Sequence, residues 1–198
     1  MTMQIKDSFY HASRDFSIIT CSTPLYFDPR EFGIIPAPYT TACHRGYWCK
    51  YSIQDNQLVL QDLSVHSKNN IYPSITNADA VVEQVHPHFI ASHRVYKDLM
   101  LPMNYTGKIL IGNHSVPTHH IKGVSDAPWQ YEFLAELALE NGRLVEITDQ
   151  SETAEDIRKF IRTMSFSEPE RGLMGTYIRF SLPLLGMISD YPWWIELD

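Results

Sequence analysis

The chain has 198 residues, and 16 Lys and Arg against 23 Asp and Glu give a formal charge of -7 with histidine neutral. A face that grips phosphates by counterion release needs clustered basic residues; no run of Lys or Arg here exceeds two, so a nucleic-acid partner is not expected. The 44% hydrophobic and 20% charged shares are ordinary globular usage, which argues against a disordered or collagen-like chain.

The N-terminal stretch MTMQIKDSFYHASRDF carries acidic residues early and no apolar run of signal-peptide length. Cys21, Cys43 and Cys49 are odd in number and share no C-x-x-C spacing, which suits a reducing compartment. Both features point to a cytoplasmic protein. The segment YWCKYSI alternates Tyr47, Cys49, Tyr51 and Ile53 against Trp48, Lys50 and Ser52, the period of a strand. Asp55-Asn56 then reads as a turn, and QLVLQDLSV resumes with Leu58 and Leu60 before its phase slips to Leu63 and Val65, which predicts a bulge at Gln61-Asp62. Residues 66–103 read as an irregular, His-rich insert. Within it Thr76-Asn77-Ala78-Asp79 resembles a capping box that opens a short helix through Val81, Val82 and Val85, ended by Pro87, and a second helical stretch is expected over Phe89–Met100.

A strand is expected from Tyr105 to Ile111. YEFLAELALE then alternates over Tyr131, Phe133, Ala135, Leu137 and Leu139, followed by Asn141-Gly142, the pair that a type I′ hairpin turn favours because both positions need positive φ. A helix from Trp129 capped by Gly142 competes with that strand, since Trp129, Phe133 and Leu137 are also spaced by four. The alternation and the strand-like RLVEIT that follows favour the hairpin. Thr153 and Asp156 form a second capping box, ahead of a helix whose Ile157, Phe160, Ile161 and Met164 make one buried stripe against a sheet. Thr176–Leu182 reads as a strand. The apolar stretch from Gly172 to Trp194 is interrupted by Arg179, Pro183 and Asp190, and Phe180–Ser189 is too short to cross a bilayer, so no membrane association is expected. The expected architecture is one α+β domain over 1–198, a mainly antiparallel meandering sheet, able to close partway into a half-open barrel, with one or two covering helices.

Few reactive patterns stand out. His86-Pro87-His88 holds two imidazoles on an extended stretch, and with His93 they are the candidate zinc ligands, although no known ligand spacing is matched. Beyond that zinc no cofactor is expected. Cys43 precedes His44 and Arg45, a setting that can lower a thiol pKa, but neighbours in a strand point to opposite faces, so a base for Cys43 would have to come from elsewhere. There is no G-x-S-x-G and no phosphate-binding glycine loop. Glu132, Glu136 and Glu140 read as one solvated face of their strand. Aromatic residues are 12% of the chain, and at Tyr39, Trp48, Trp129, Trp193 and Trp194 the pattern does not guarantee burial, although a helix over the second face would make Trp48 core.

The run TTACHRGYWCKYSIQDNQLVLQDL, then LPMNYTGKILIG, then WQYEFLAELALENGRLVEI, resembles a family of small uncharacterised bacterial proteins. The matching positions are Arg45-Gly46-Tyr47, Asn56 to Leu60, Tyr105-Thr106-Gly107 and Asn141-Gly142, across Tyr39 to Ile147, about half of the chain. The resemblance implies an accessory or immunity-type protein and brings no catalytic residue with it. The expected function is therefore protein binding through an aromatic-rich sheet face with an acidic rim, toward a partner of basic character, with Tyr39, Arg45, Tyr47, Trp48 and Trp129 as candidate binding residues. The alternative is a hydrolase that uses a His/Cys or His-metal site. A small-ligand binder within a half-closed barrel is the third reading.

Overall fold

The computed structural model describes residues 4–82, 93–116, 127–163 and 193–196. The chain divides into two compact units, Met1–Ser17 with Pro24–Thr106 and Glu140–Leu144, and Ile18–Thr23 with Gly107–Leu139 and Val145–Asp198.

The chain opens on β1 (Ser8–His11) and β2 (Arg14–Cys21), an antiparallel pair turned by Ala12 and Ser13, both at positive φ. β3 (Tyr47–Gln54) runs parallel to β1 and antiparallel to β4 (Gln57–Val65). The β3–β4 turn is Asp55-Asn56, at the expected place, and its φ of 48° and 65° make it a left-handed pair. Lys50 faces Asp62 and Tyr51 faces Leu60, so Gln61 is the extra residue of a bulge at the expected place. The slip lets Leu58, Leu60, Leu63 and Val65 all bury.

Both helices expected in 66–103 require correction. Thr76 and Asn77 take positive φ in a tight turn that bridges Ile75 to Ala78, and Val81–Val82 forms a short strand, β5, instead of a helix. Thr and Asn side chains serve a turn as readily as a helix cap, and the buried Ile75 fixes the outcome. Of the second stretch, 89–92 lie outside the described residues, while β6 (Arg94–Tyr96) pairs with β4 and with β5. Val95 and Tyr96 bury there, and the bulge holds the segment that follows: the Leu99 N–H donates to Gln61 O at 2.8 Å and the Asp98 N–H to Asp62 Oδ1 at 3.0 Å. β7 (Leu101–Pro102) adds to the same strand, β4.

Farther along the chain β8 (Gly107–Ser115) pairs antiparallel with β9 (Tyr131–Glu140), in register from Gly107 opposite Leu139 to Ser115 opposite Tyr131. Residues 131–140 are thus strand, preceded by a 3₁₀ turn at Pro128–Gln130. Asn141 and Gly142, at φ of 49° and 78°, lead into β10 (Arg143–Asp149). The simple inward set of odd positions in β9 is corrected: Leu137 and Leu139 bury, Phe133 is exposed, and Leu134 and Glu136 bury as well. A helix covers the face assigned to solvent. That helix, α1, is Ser151–Thr163, beginning two residues before Thr153, with the Ser151 N–H bonded to Asp149 Oδ1 at 2.9 Å. Its Ile157 and Phe160 pack with Leu110, Leu134, Trp129 and Trp194 in one core. Met164, the side chain of Ile161 and the strand expected at 176–182 lie outside the described residues.

The class is α+β with a mainly antiparallel sheet, the parallel β1–β3 pair making it mixed. Among the described residues no helix is long and apolar enough to cross a membrane.

Candidate binding surface

The first unit gathers four rings where β3, β4 and β6 lie side by side. Trp48 is the second residue of β3, opposite Ser64 of β4; His66 follows the last residue of β4; His93 immediately precedes β6, whose Arg94 pairs with Val65. Tyr39 comes from the preceding loop, tied by its N–H to Cys43 O at 3.1 Å. Ring centroids lie 4.7 Å apart for Trp48 and His93, 5.3 Å for Tyr39 and His93, 5.6 Å for Tyr39 and His66, and 6.4 Å for Tyr39 and Trp48. These are the separations of tilted and edge-on aromatic contacts. His93 is 2% exposed and forms the floor, while Tyr39, Trp48 and His66 are half-buried. Burial, with the nearby Cys43, holds the Tyr39 phenol above its usual pKa.

Arg45 and Tyr47 adjoin this cluster in sequence, but their polar groups are engaged within the fold. The Arg45 guanidinium grips Asp7 with Nη1 at 3.1 Å from Oδ2 and a second bond from Nη2 to Oδ1, and its Nε donates to Tyr47 O at 2.6 Å. Asp7 Oδ1 also accepts the Cys49 N–H at 2.6 Å. Burial works against the Arg45 charge, but the Asp7 carboxylate outweighs it and raises the guanidinium pKa. Arg45 lies 4.6 Å over the Tyr47 ring, and the Tyr47 hydroxyl donates to Phe27 O at 2.7 Å. Together they clasp the N-terminal segment to β3, a structural task. Asp7, the partner that makes the clasp, carries no local sequence signal.

Trp129, expected at a surface, is 5% exposed and sits in the core of the second unit. Trp194 is likewise buried, and Trp193 donates to Glu136 Oε2 at 2.6 Å while Lys108 Nζ lies 2.7 Å from Oε1. Glu136 is therefore a paired, buried carboxylate and not part of a solvated acidic face. His86 and His88 lie outside the described residues. Among the described residues no three His, Cys, Asp or Glu side chains group as a metal site would.

The thiols do not match the nucleophile reading. Cys43 and Cys49 are both buried, and desolvation is the leading cause that raises both pKa values, outweighing Arg45. At neutral pH the two groups are protonated, and thiolate appears only as pH rises through the elevated pKa. Alkylation by iodoacetamide at pH 7.5 is thus expected to label the half-buried Cys21 first, with Cys43 and Cys49 about a hundredfold slower than in urea. Mass spectrometry of peptides from a labelling time course reads this directly; Cys43 labelled first in the native protein would restore a reactive thiol.

No family model, curated protein or solved structure matches the chain.

Proposed function

We propose that the chain is a protein-binding accessory module of immunity type, and that it engages a partner of basic character through the Tyr39, Trp48 and His66 ring surface. The observation that carries this reading is the meeting of half-buried Tyr39 and Trp48 on the buried His93, with half-buried His66 set against Tyr39. Half-buried Tyr and Trp supply large rigid contact area at small entropic cost, which is what binding hot spots use. The charge of -7 speeds encounter with a basic partner, and the rings then hold it.

The test is affinity capture from extracts of the cells that carry the protein, with the wild-type chain and Trp48→Ala immobilised in parallel. A basic protein retained by the wild type should be released by salt, and Trp48→Ala should bind it roughly 30-fold more weakly, about 2 kcal/mol. Trp48→Ala should stay folded, losing about 1–2 kcal/mol of stability. Equal retention by the two chains, or retention of nothing, would remove the proposal.

A further inference from the structure

β10 stands beside β9 in the strand order, and an additional pairing links it to β4. On the side away from β9, its one pairing among the described residues is at Arg143, opposite Gln57, where the Leu144 N–H also reaches Asn56 O at 3.0 Å. From Val145 to Asp149 no strand among the described residues pairs with that side. Because backbone groups alternate from side to side along a strand, about half of the amides and carbonyls of this stretch face that side, with no strand partner among the described residues. The stretch also exposes apolar side chains: Val145 is 60% and Ile147 40% exposed. Free edges of this kind are normally blunted by Lys, Pro or a covering loop. Among the described residues this one is not.

Beyond Arg143, the exposed first residue of β10, the charge along the chain has one sign. From Leu144 to Asp156 the chain carries Glu146, Asp149, Glu152, Glu155 and Asp156, and neither Lys nor Arg. Lys159 reaches Glu155 and Asp156, at 3.2 Å each. Among the described residues no cation pairs with Glu146, Asp149 or Glu152, and the hydrogen bonds from Ser151 keep the Asp149 carboxyl below its ordinary pKa, so it is charged at neutral pH. A second copy of the chain would bring like charges together along this edge, which costs energy at every facing pair. A basic segment would meet the opposite charge.

The geometry points to β10, from Val145 to Asp149, as a docking edge for an extended, Lys- or Arg-bearing segment of a partner protein, added as a further strand of the sheet. Backbone bonds along the open edge give affinity, Val145 and Ile147 pack against apolar side chains of the added strand, and Glu146, Asp149 and Glu152 select positive charge. The inference shares the basic partner with the proposed function and not the surface, so Trp48→Ala is its control.

The probe is a short acetylated peptide of alternating Lys and Val, titrated against the full chain by calorimetry and followed by residue-level amide exchange. Binding should protect alternate amides between Val145 and Asp149. It should fall at least about tenfold in Val145→Lys/Ile147→Lys, a pair of exposed positions whose replacement leaves the melting temperature unchanged, and should be equal to wild type in Trp48→Ala. A peptide of alternating Glu and Val, or the Lys/Val peptide N-methylated at alternate amides, should bind at least about tenfold more weakly. Any of three results overturns the inference: the N-methylated peptide binding as well as its parent, no protection within Val145–Asp149, or a dimer of the chain itself that shields those amides. Loss of binding in Trp48→Ala alone would place the peptide on the rings instead.

Discussion

Gly46→Ala is expected to lower the melting temperature by roughly 10 °C, the equivalent of about 4 kcal/mol in a chain of this size, and to disperse the ring cluster. Gly46 sits at φ 79°, where a side chain alone costs about 1–2 kcal/mol. A Cβ there would also stand 2.2 Å from Ala37 O and 2.7 Å from Ala37 C and N, all of them backbone atoms with no rotamer to yield. Ala37 would have to move, and with it two bonds that frame the site: Ala37 N–H to His66 O at 2.9 Å and His66 N–H to Gly46 O at 2.8 Å. His66 carries one of the rings, and Tyr39 is two residues beyond Ala37. Gly33→Ala is the control. It has nearly the same φ, 75°, but its Cβ would meet only Pro73 Cγ at 3.5 Å, an ordinary contact, so it should cost about 1–2 kcal/mol. Urea denaturation of both variants separates the shared backbone term from the clash. Equal losses would mean that Ala37 moves freely and that the loop does not fix the rings.

The parts legible in the sequence share a local cause. Asp55-Asn56 and Asn141-Gly142 mark hairpins because few residue pairs adopt two successive left-handed conformations, and alternation on both sides then sets the strands. The bulge at Gln61 shows as a phase slip between Leu60 and Leu63, and α1 shows as the spacing of Ile157 and Phe160. What stayed hidden depends on partners distant in the chain. The parallel pairing of β1 with β3 has no turn to announce it. β6 is three residues long, too short for a period, and is a strand because β4 lies beside it. Trp129 read as exposed because the helix and the Trp194 side chain that bury it come later in the chain. The site divides the same way: Tyr39 and Trp48 drew notice as aromatics outside the apolar pattern, but their meeting with His66 and His93 is a consequence of the β3–β4–β6 register. Arg45 stands out in the sequence too, while its bond to Asp7, at a separation of 38 positions, is not predictable from either residue.

Trp194→Ala is expected to cost about 3–5 kcal/mol, the range for emptying a buried indole site, and to loosen the second unit while the ring cluster of the first persists. Trp194 is fully buried and packs in one cluster with Trp129, Leu134, Ile157 and Phe160. It differs from its neighbour Trp193, whose N–H is bonded to Glu136. Among the described residues the buried Trp194 Nε1 has no acceptor, nor does that of Trp129, and an unmade bond of this kind costs about 1–3 kcal/mol. Trp194→Phe therefore removes a penalty along with some volume, and the two partly cancel, so it should lie within about 1 kcal/mol of wild type. The ordering, a large loss for alanine and a small one for phenylalanine, is checked by chemical denaturation, with amide exchange in β9 and α1 reporting where the loss falls. A phenylalanine variant as unstable as the alanine one would mean that the Trp194 N–H has a bond worth keeping, and that the cluster is held by a polar contact as well as by packing.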